Sequence, residues 1–397
     1  MSKQPTPSFP EFITLMALYV ALMAMSIDMM LPALSLIGQD FHIIDENKAQ
    51  YIIGALFLGF TVGQVIYGPI ADSFGRKFTI YIGLLFFIIG DIFCLTANNF
   101  SIMLLGRFLQ GFGASSPRIT SVAIIRDLYK GREMARVMSF IMTIFIIIPV
   151  VAPSLGQLIL FITSWRAMFV VFFIAALIAM LLTYFRLPET LKPQDIRPFS
   201  AKAILHDFGK VLSNKITLGY TICAGLIFSA LIGYLTSAPQ IFQEYFGKEE
   251  SFPLYFGASA LSLGAASITN SMIVRRYGMK LICHHALIVM IAISAIFLPL
   301  AILQENHVPI WEFMIYVLIL FFCLGLLFGN LNALAMEPMG HFAGIASAVV
   351  GSLSSGISAV IGTIIGQSYN STLIPIVTGF LALTFLAFLL QAWLAKQ

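Results

Sequence analysis

The sequence predicts an all-α, polytopic membrane protein of twelve transmembrane helices in two six-helix halves, and three observations predict it. Of 397 residues, 59% are hydrophobic and only 10% are charged, whereas about a quarter of a soluble globular chain is charged. Uncharged apolar runs of roughly 20 residues, the length a helix needs to cross a hydrocarbon core about 30 Å thick, recur down the whole chain. Their period is that of helices rather than of the alternating strands of a barrel. A single long polar segment then divides the runs six and six.

Charges and turn residues bound the spans near 12–35, 48–70, 78–97, 101–125, 136–160 and 166–186. The second set lies near 214–238, 253–274, 279–303, 310–336, 343–367 and 372–394. Residues 1–187 are therefore expected to form an N-terminal bundle, 188–213 a cytoplasmic linker and 214–397 a C-terminal bundle. The proline-broken start, Met1 to Pro10, leads into a run too long for a cleavable signal peptide, so the first helix is expected to stay. The linker carries Pro188, Pro193 and Pro198. Its 201–212 part predicts a helix lying on the membrane surface, with Ile204, Leu205, Phe208 and Leu212 on one face. Cys94, Cys223, Cys283 and Cys323 sit inside apolar runs without metal-ligand spacing, so neither a disulfide nor a metal is expected.

Lys and Arg are distributed seventeen on one side of this layout and three on the other, with Arg107 and Arg118 inside a span. By the positive-inside rule both termini and the linker are cytoplasmic. Trp165, Trp311 and Trp393 fall at span ends, where interfacial aromatics belong.

Between the second and third spans, Gly68-Pro69-Ile70-Ala71-Asp72-Ser73-Phe74-Gly75-Arg76-Lys77 packs one acid and two bases into six residues, with glycines at both ends for a tight turn. Offset by 203 residues, Ser271 to Lys280 answers it in the second half: Gly278 matches Gly75 and Lys280 matches Lys77, but Arg275 replaces Asp72. The repeat suggests parallel halves around a central axis, an arrangement that transporters use to place a site at the halves' interface near the midplane.

Charge buried in a span costs a few kcal/mol on insertion scales, roughly 2.5–3.5 at the centre, and so marks a cavity or a partner. Asp28 lies roughly 24 Å up the first span and Arg107 roughly 9 Å down the fourth, depths that nearly coincide in a core about 30 Å thick. Geometry thus allows an Asp28–Arg107 interaction if these helices are neighbours. Desolvation and a nearby arginine act oppositely on a carboxyl, so Asp28 is a candidate for proton coupling or substrate contact; the alternative is a permanent structural pair. Arg107, Gln110, Gly111, Ala114, Arg118 and Ser121 share one face of the fourth span, and a polar stripe on a membrane helix lines water or protein. Two fixed cations against one carboxylate favour an anion in the cavity. For Arg118 the alternatives are substrate contact, a snorkelling side chain or a gate. Asp91 has no evident partner in sequence. The fifth span carries Pro149, Pro153 and Gly156, which break the helical hydrogen-bond ladder. The eleventh is rich in small residues, from Gly344 to Gly366, that let membrane helices approach. These two helices are the expected interface between halves.

Three motifs carry a family resemblance. Gly68-x-x-x-Asp72-x-x-Gly75-Arg76-Lys77 resembles motif A of the major facilitator superfamily. Arg107-x-x-Gln110-Gly111-x-Gly113-Ala114 resembles its motif B, and Pro149-x-x-x-Pro153-x-x-Gly156 resembles the antiporter motif C. Asp28-Met29-Met30-Leu31-Pro32 and Arg126-Asp127 resemble the Bcr/CflA group of drug:proton antiporters. The resemblance implies that Asp28 is the coupling carboxylate and that Arg107 modulates it. It also implies that Asp72 caps the eleventh helix and, in the outward-open state, pairs with cytoplasmic arginines such as Arg126, and that Arg76 belongs to the same latch. Motif C ends in Gly156-Gln157 rather than in paired glycines, and Ser116-Pro117-Arg118 adds a cation foreign to motif B.

The expected activity is proton-coupled transport of a small organic molecule across the bacterial inner membrane by alternating access, with drug or metabolite efflux first. A carboxylate siderophore or similar anion, imported or exported, is the alternative that Arg118 suits. The expected partners are that substrate, protons and the lipid bilayer, with no nucleic acid. No cofactor is needed beyond a proton gradient, and a monomer is expected. A channel would need no motif A latch. A membrane enzyme would need a nucleophile with a positioned base, and no such set converges in the spans.

Overall fold

The computed structural model describes residues 7–196, 199–304 and 307–396. Lys3, Arg197 and Pro198 of the sequence reading lie outside the described residues, as do the side chains of Lys202, Ile204, Leu205 and Gly344. Among the described residues there is no strand. Twelve long helices follow in order: α1 Phe9–Asp28, α2 Tyr51–Phe74, α3 Arg76–Leu95, α4 Phe100–Leu128, α5 Gly131–Ile162, α6 Arg166–Arg186, α7 Lys215–Gln240, α8 Phe252–Tyr277, α9 Met279–Leu303, α10 Ile310–Met336, α11 Ala343–Gln367 and α12 Ile374–Leu394. Eleven of these spans are long and apolar enough to cross a membrane. The other helix, α4, is 29 residues long but carries Arg107, Gln110, Arg118 and Arg126.

The first span departs from its expected continuity over 12–35. α1 stops at Asp28, a turn follows, and Leu31–Ala33 is 3-10 before helix resumes over Leu34–Asp40. Pro32 accounts for the break, because it has no N–H to donate and its ring collides with the carbonyl four residues back, that of Asp28. Proline does not break α5, which runs as one helix through Pro149 and Pro153.

The chain forms two compact units. One comprises Met1–Ile37 with Ala55–Leu205, the other Gly38–Gly54 with His206–Gln397. The expected boundary in the linker is thus joined by an exchange near the start of α2.

In the first unit α4 is central because its small residues let neighbours approach from two sides. A Cβ on Gly111 would collide with the backbone of Leu56 on α2, and one on Gly113 with the backbone of Phe87 on α3. On α3, a Cβ at Gly90 would lie 2.5 Å from Gln110 N and 2.6 Å from Gly106 O. Ser116 Oγ adds a 2.7 Å hydrogen bond to Thr79 O. α1 packs on α4, α5 and α6, and Tyr19 and Thr183 share a buried 2.6 Å hydroxyl bond between α1 and α6. Gly156 of α5 lies against the Met29 carbonyl at the break in the first span. Trp165 is the N-cap of α6. It is 3% exposed, edge-on to Phe169 and covered by the Arg166 guanidinium, whereas Trp311 and Trp393 are exposed.

In the second unit the small residues of α11 face α7. Gly362 meets Ile232 and Ser229, Gly366 meets Thr236, and Gly225 of α7 meets Ile357. The close approach expected of both the fifth and the eleventh spans is therefore made inside their own units, to α1 and α7. Pro239 lies one residue before the end of α7, and a π turn, Ile241–Tyr245, follows. Gln240 at that junction joins an amide cluster that explains why 38–54 belongs here. Gln50 Nε2 donates to Gln240 Oε1 at 2.5 Å, and Gln240 Nε2 to Asn47 Oδ1 at 3.0 Å. Asn47 Nδ2 donates to Tyr369 O at 2.7 Å, and Gln367 Nε2 donates to Asn47 O.

The linker helix, Ala201–Ser213, is turned from its expected orientation. Val211 is buried against Met339, Ala346 and Val349, flanked by Phe208 and Met336, while Leu212 is exposed. It packs on protein, and its face runs through Phe208 and Val211 rather than through Leu212.

Candidate functional site

Two sets of polar residues in the first unit bear on function. The first surrounds the turn into α3. Gly75 has φ +106°, a left-handed backbone that favours glycine, and the Glu189 carboxylate lies beside it. Glu189 caps the first turn of α3: its Oε1 accepts from Arg76 N at 3.0 Å and its Oε2 from Lys77 N at 3.1 Å. A carboxylate there faces unpaired helix N–H groups and the positive end of the helix dipole. The Arg76 side chain, 5% exposed, donates through Nη1 to Asp72 Oδ1 at 2.5 Å and through Nε to Asp127 Oδ2 at 3.0 Å. Thr190 Oγ1 also donates to Asp127 Oδ2, at 3.1 Å.

The structure brings Asp72, Gly75 and Arg76 together as expected, with Gly68 one helical stretch earlier on α2. Arg126 is exposed; its neighbour Asp127 is the residue in the latch, and the partner of Asp72 is Arg76. Arg126-Asp127 signalled this position, but the sequence reading chose the cation. Glu189 was missed because it comes 113 positions after Arg76, in a segment read only as linker.

The second set is buried among α1, α3 and α4. Asp28, 5% exposed, ends α1 at the Pro32 break. The Asp28–Arg107 pair that their depths allow is not formed. Arg107, fully buried, reaches α1 two residues earlier, where Nη2 donates to Ser26 O at 2.7 Å. Its Nη1 donates to Gln110 Oε1 at 2.5 Å, and Gln110 Nε2 donates to Asp91 Oδ1 at 2.5 Å. Among the described residues no side chain is hydrogen-bonded or ion-paired to the Asp28 carboxyl. Asp91, which the sequence left without a partner, is therefore the acid to which Arg107 is connected. The only signal was its buried charge; its face towards α4 follows from the Gly90–Gly106 contact beside it.

The expected stripe on α4 is divided. Gly111 is used for packing on α2, and Arg107 and Gln110 are enclosed. Arg118 is half-buried between the rings of Phe60 and Phe145, 5.8 and 5.4 Å from their centroids. Among the described residues no carboxylate is paired with it. Two aromatic faces hold a guanidinium through cation–π attraction and leave its N–H edge available.

Residues 16–363 match the family model described as Major Facilitator Superfamily. Over 367 residues, 91% of this chain and 89% of the relative, the sequence is 30% identical to "Uncharacterized MFS-type transporter YdgK" of Bacillus subtilis (strain 168). It is 28% identical over 92% of its length to 91% of "Bicyclomycin resistance protein homolog" of Haemophilus influenzae. It is also 31% identical over 57% of both chains to "Multidrug resistance protein MdtL" of Klebsiella pneumoniae. Among solved structures, a partially occluded inward-open form of the xylose transporter XylE from E. coli superposes with a TM-score of 0.72 over 96% of both chains, at 14% identity, a likeness of fold alone.

Proposed function

The chain belongs to the major facilitator superfamily, and from that premise we propose that it is a proton-coupled secondary transporter that exports drugs or metabolites from the bacterial cytoplasm. It is a multi-pass membrane transporter and not an enzyme. The observation that carries the proton reading is Asp28: a buried carboxyl at a helix break, with no cation bound to it among the described residues. Broken membrane helices are where transporters place ion and substrate sites, and a carboxyl without a fixed counter-charge is suited to alternate between its acid and its ion as access changes from one membrane face to the other. The relatives named for bicyclomycin and multidrug resistance support efflux. Lys and Arg counts support an inner-membrane orientation with cytoplasmic termini.

A second reading, an organic anion such as a carboxylate siderophore, is favoured by Arg118, whose guanidinium edge suits bidentate carboxylate binding. Purified protein in liposomes tests both. Transport is expected only with a pH gradient, and Asp28→Asn should lose that dependence; undiminished gradient-driven transport by Asp28→Asn would sink its role. Competition between a lipophilic cation and a tricarboxylate separates the two cargoes, and Arg118→Glu should abolish transport only if the cargo is the anion.

A further inference from the structure

The buried network of the first unit contains a second carboxyl, Asp91, besides the proposed coupling group Asp28. Asp91 is 1% exposed. Its Oδ1 is engaged by Gln110, while its Oδ2 is buried with no hydrogen-bond partner among the described residues. Gln110 accepts from Arg107 on one side and donates to Asp91 on the other, so a neutral amide stands where a direct ion pair would put two bonds. The charged and titratable groups that face Asp91 are Arg107 from α4 and Cys94 from α3 itself. α6, which also packs on α3, brings the ring of Phe169, 6.0 Å from the Arg107 guanidinium. Oδ2 is thus an atom on which a proton can come and go without disturbing the Gln110 bond.

Charge balance gives this a function. Asp28, Asp91 and Arg107 are the two acids and one cation fully enclosed among α1, α3 and α4, whereas Arg118, eleven residues along α4, is only half-buried, and an uncompensated buried charge is strongly destabilising. Their net charge is zero only when one of the two acids is ionised and the other holds a proton. We propose that Asp91 is a second proton-binding site, exchanging with Asp28 through Arg107. In the arrangement seen, Arg107 is held towards Gln110, Asp91 is the ion, and the Asp28 carboxyl carries the proton. When a proton binds Asp91 Oδ2, the pull through Gln110 is lost. Arg107 then leaves Ser26 O for the Asp28 carboxyl two residues away, and Asp28 releases its proton. One proton enters, one leaves, and the buried charge stays at zero throughout. The proposal rests on Asp28 being the coupling carboxyl.

Infrared difference spectroscopy of the reconstituted protein across a pH titration reads protonated carboxyls directly and needs no substrate. Asp91→Asn keeps an oxygen acceptor for Gln110 and should remove one titrating carboxyl band while shifting the midpoint of the band that Asp28→Asn removes. Gln110→Leu retains both acids and should abolish that mutual shift. An unchanged carboxyl region in Asp91→Asn, or midpoints in Gln110→Leu equal to those of the parent protein, overturns the proposal. If Asp28→Asn alone leaves the spectrum unchanged, the assignment of Asp28 fails while Asp91 stands as a proton site.

Discussion

Gly90→Ala provides a test of sign for the packing that holds the Asp91–Gln110–Arg107 network. The new Cβ would lie 2.5 Å from Gln110 N and 2.6 Å from Gly106 O, both backbone atoms that cannot rotate away. Ordinary contact begins near 3.4 Å, so α3 and α4 must part by about 0.9 Å. Overpacking of this kind costs about 1–3 kcal/mol, against which alanine gains at most about 1 kcal/mol of helix propensity over glycine. The expected net effect is a loss of up to about 2 kcal/mol. The same displacement would stretch the 2.5 Å Gln110–Asp91 bond towards the limit of hydrogen bonding, so coupling should suffer along with stability. Gly329 on α10 is the control, since a Cβ there meets nothing within 4 Å, and Gly329→Ala should be neutral or mildly stabilising. Thermal unfolding of the purified proteins in one detergent measures both. If Gly90→Ala raises the midpoint as Gly329→Ala does, the close approach of α3 and α4 is refuted, and with it the placement of Asp91.

At the latch, Asp72→Asn and Asp127→Asn should each cost about 1 kcal/mol, allowing for partial exposure. The double variant should exceed their sum in a double-mutant cycle, because it leaves the buried Arg76 cation without either carboxylate. Asp72→Asn should also slow transport by shifting conformer populations, while affinity measured in a conformer trapped by cross-linking stays unchanged. Gln50→Ala removes a buried amide and leaves Gln240 Oε1 without its donor, a loss of about 1–3 kcal/mol visible in thermal unfolding. Val211→Asp should release the linker helix: about 2 kcal/mol of docking corresponds to about thirtyfold faster hydrogen exchange over 206–213, and unchanged exchange there would place the helix elsewhere.

What the sequence made legible follows from one-dimensional rules. Span length and the distribution of Lys and Arg locate the helices. The spacing Asp28-x-x-x-Pro32 locates the break, since a proline acts on the carbonyl four residues back, although the first span was read as continuous. What was not legible depends on which residues meet across the bundle. Buried charge identified Asp28, Asp91 and Arg107, but matching depth pointed Arg107 to Asp28, whereas in this structure it is connected to Asp91 through Gln110, since depth fixes height in the membrane and leaves rotation about each helix open. Glu189 and Asp127 were hidden for a related reason: a loop carboxylate is read as solvated until a distant helix N-terminus or a buried guanidinium is brought to it. Gln50 and Asn47 carry no signal in the sequence, because nothing local to them names Gln240 or Gln367.

The internal repeat sharpens what the latch does. Gly75 and Gly278 have the same unusual backbone, φ +106° and +77° with ψ 155° in both, and each immediately precedes the helix that follows. The two halves thus share the turn geometry, and a positive φ explains why glycine is needed at both. Their charges differ. Around Gly75 the cation Arg76 is neutralised by Asp72 and Asp127, and Glu189 caps the helix. Around Gly278 the position of Asp72 is Arg275, and among the described residues Arg275, Arg276 and Lys280 are in no ion pair. The turn therefore serves chain reversal in both halves, and only the first has acquired carboxylates that can be engaged and released. A conformational switch needs a differential interaction in its two states, and of the two turns only the one at Gly75 has the acidic groups to supply it. This is why the effect of removing Asp72 should appear in the populations of the cycle, whereas the corresponding change at Arg275 should leave them unaltered.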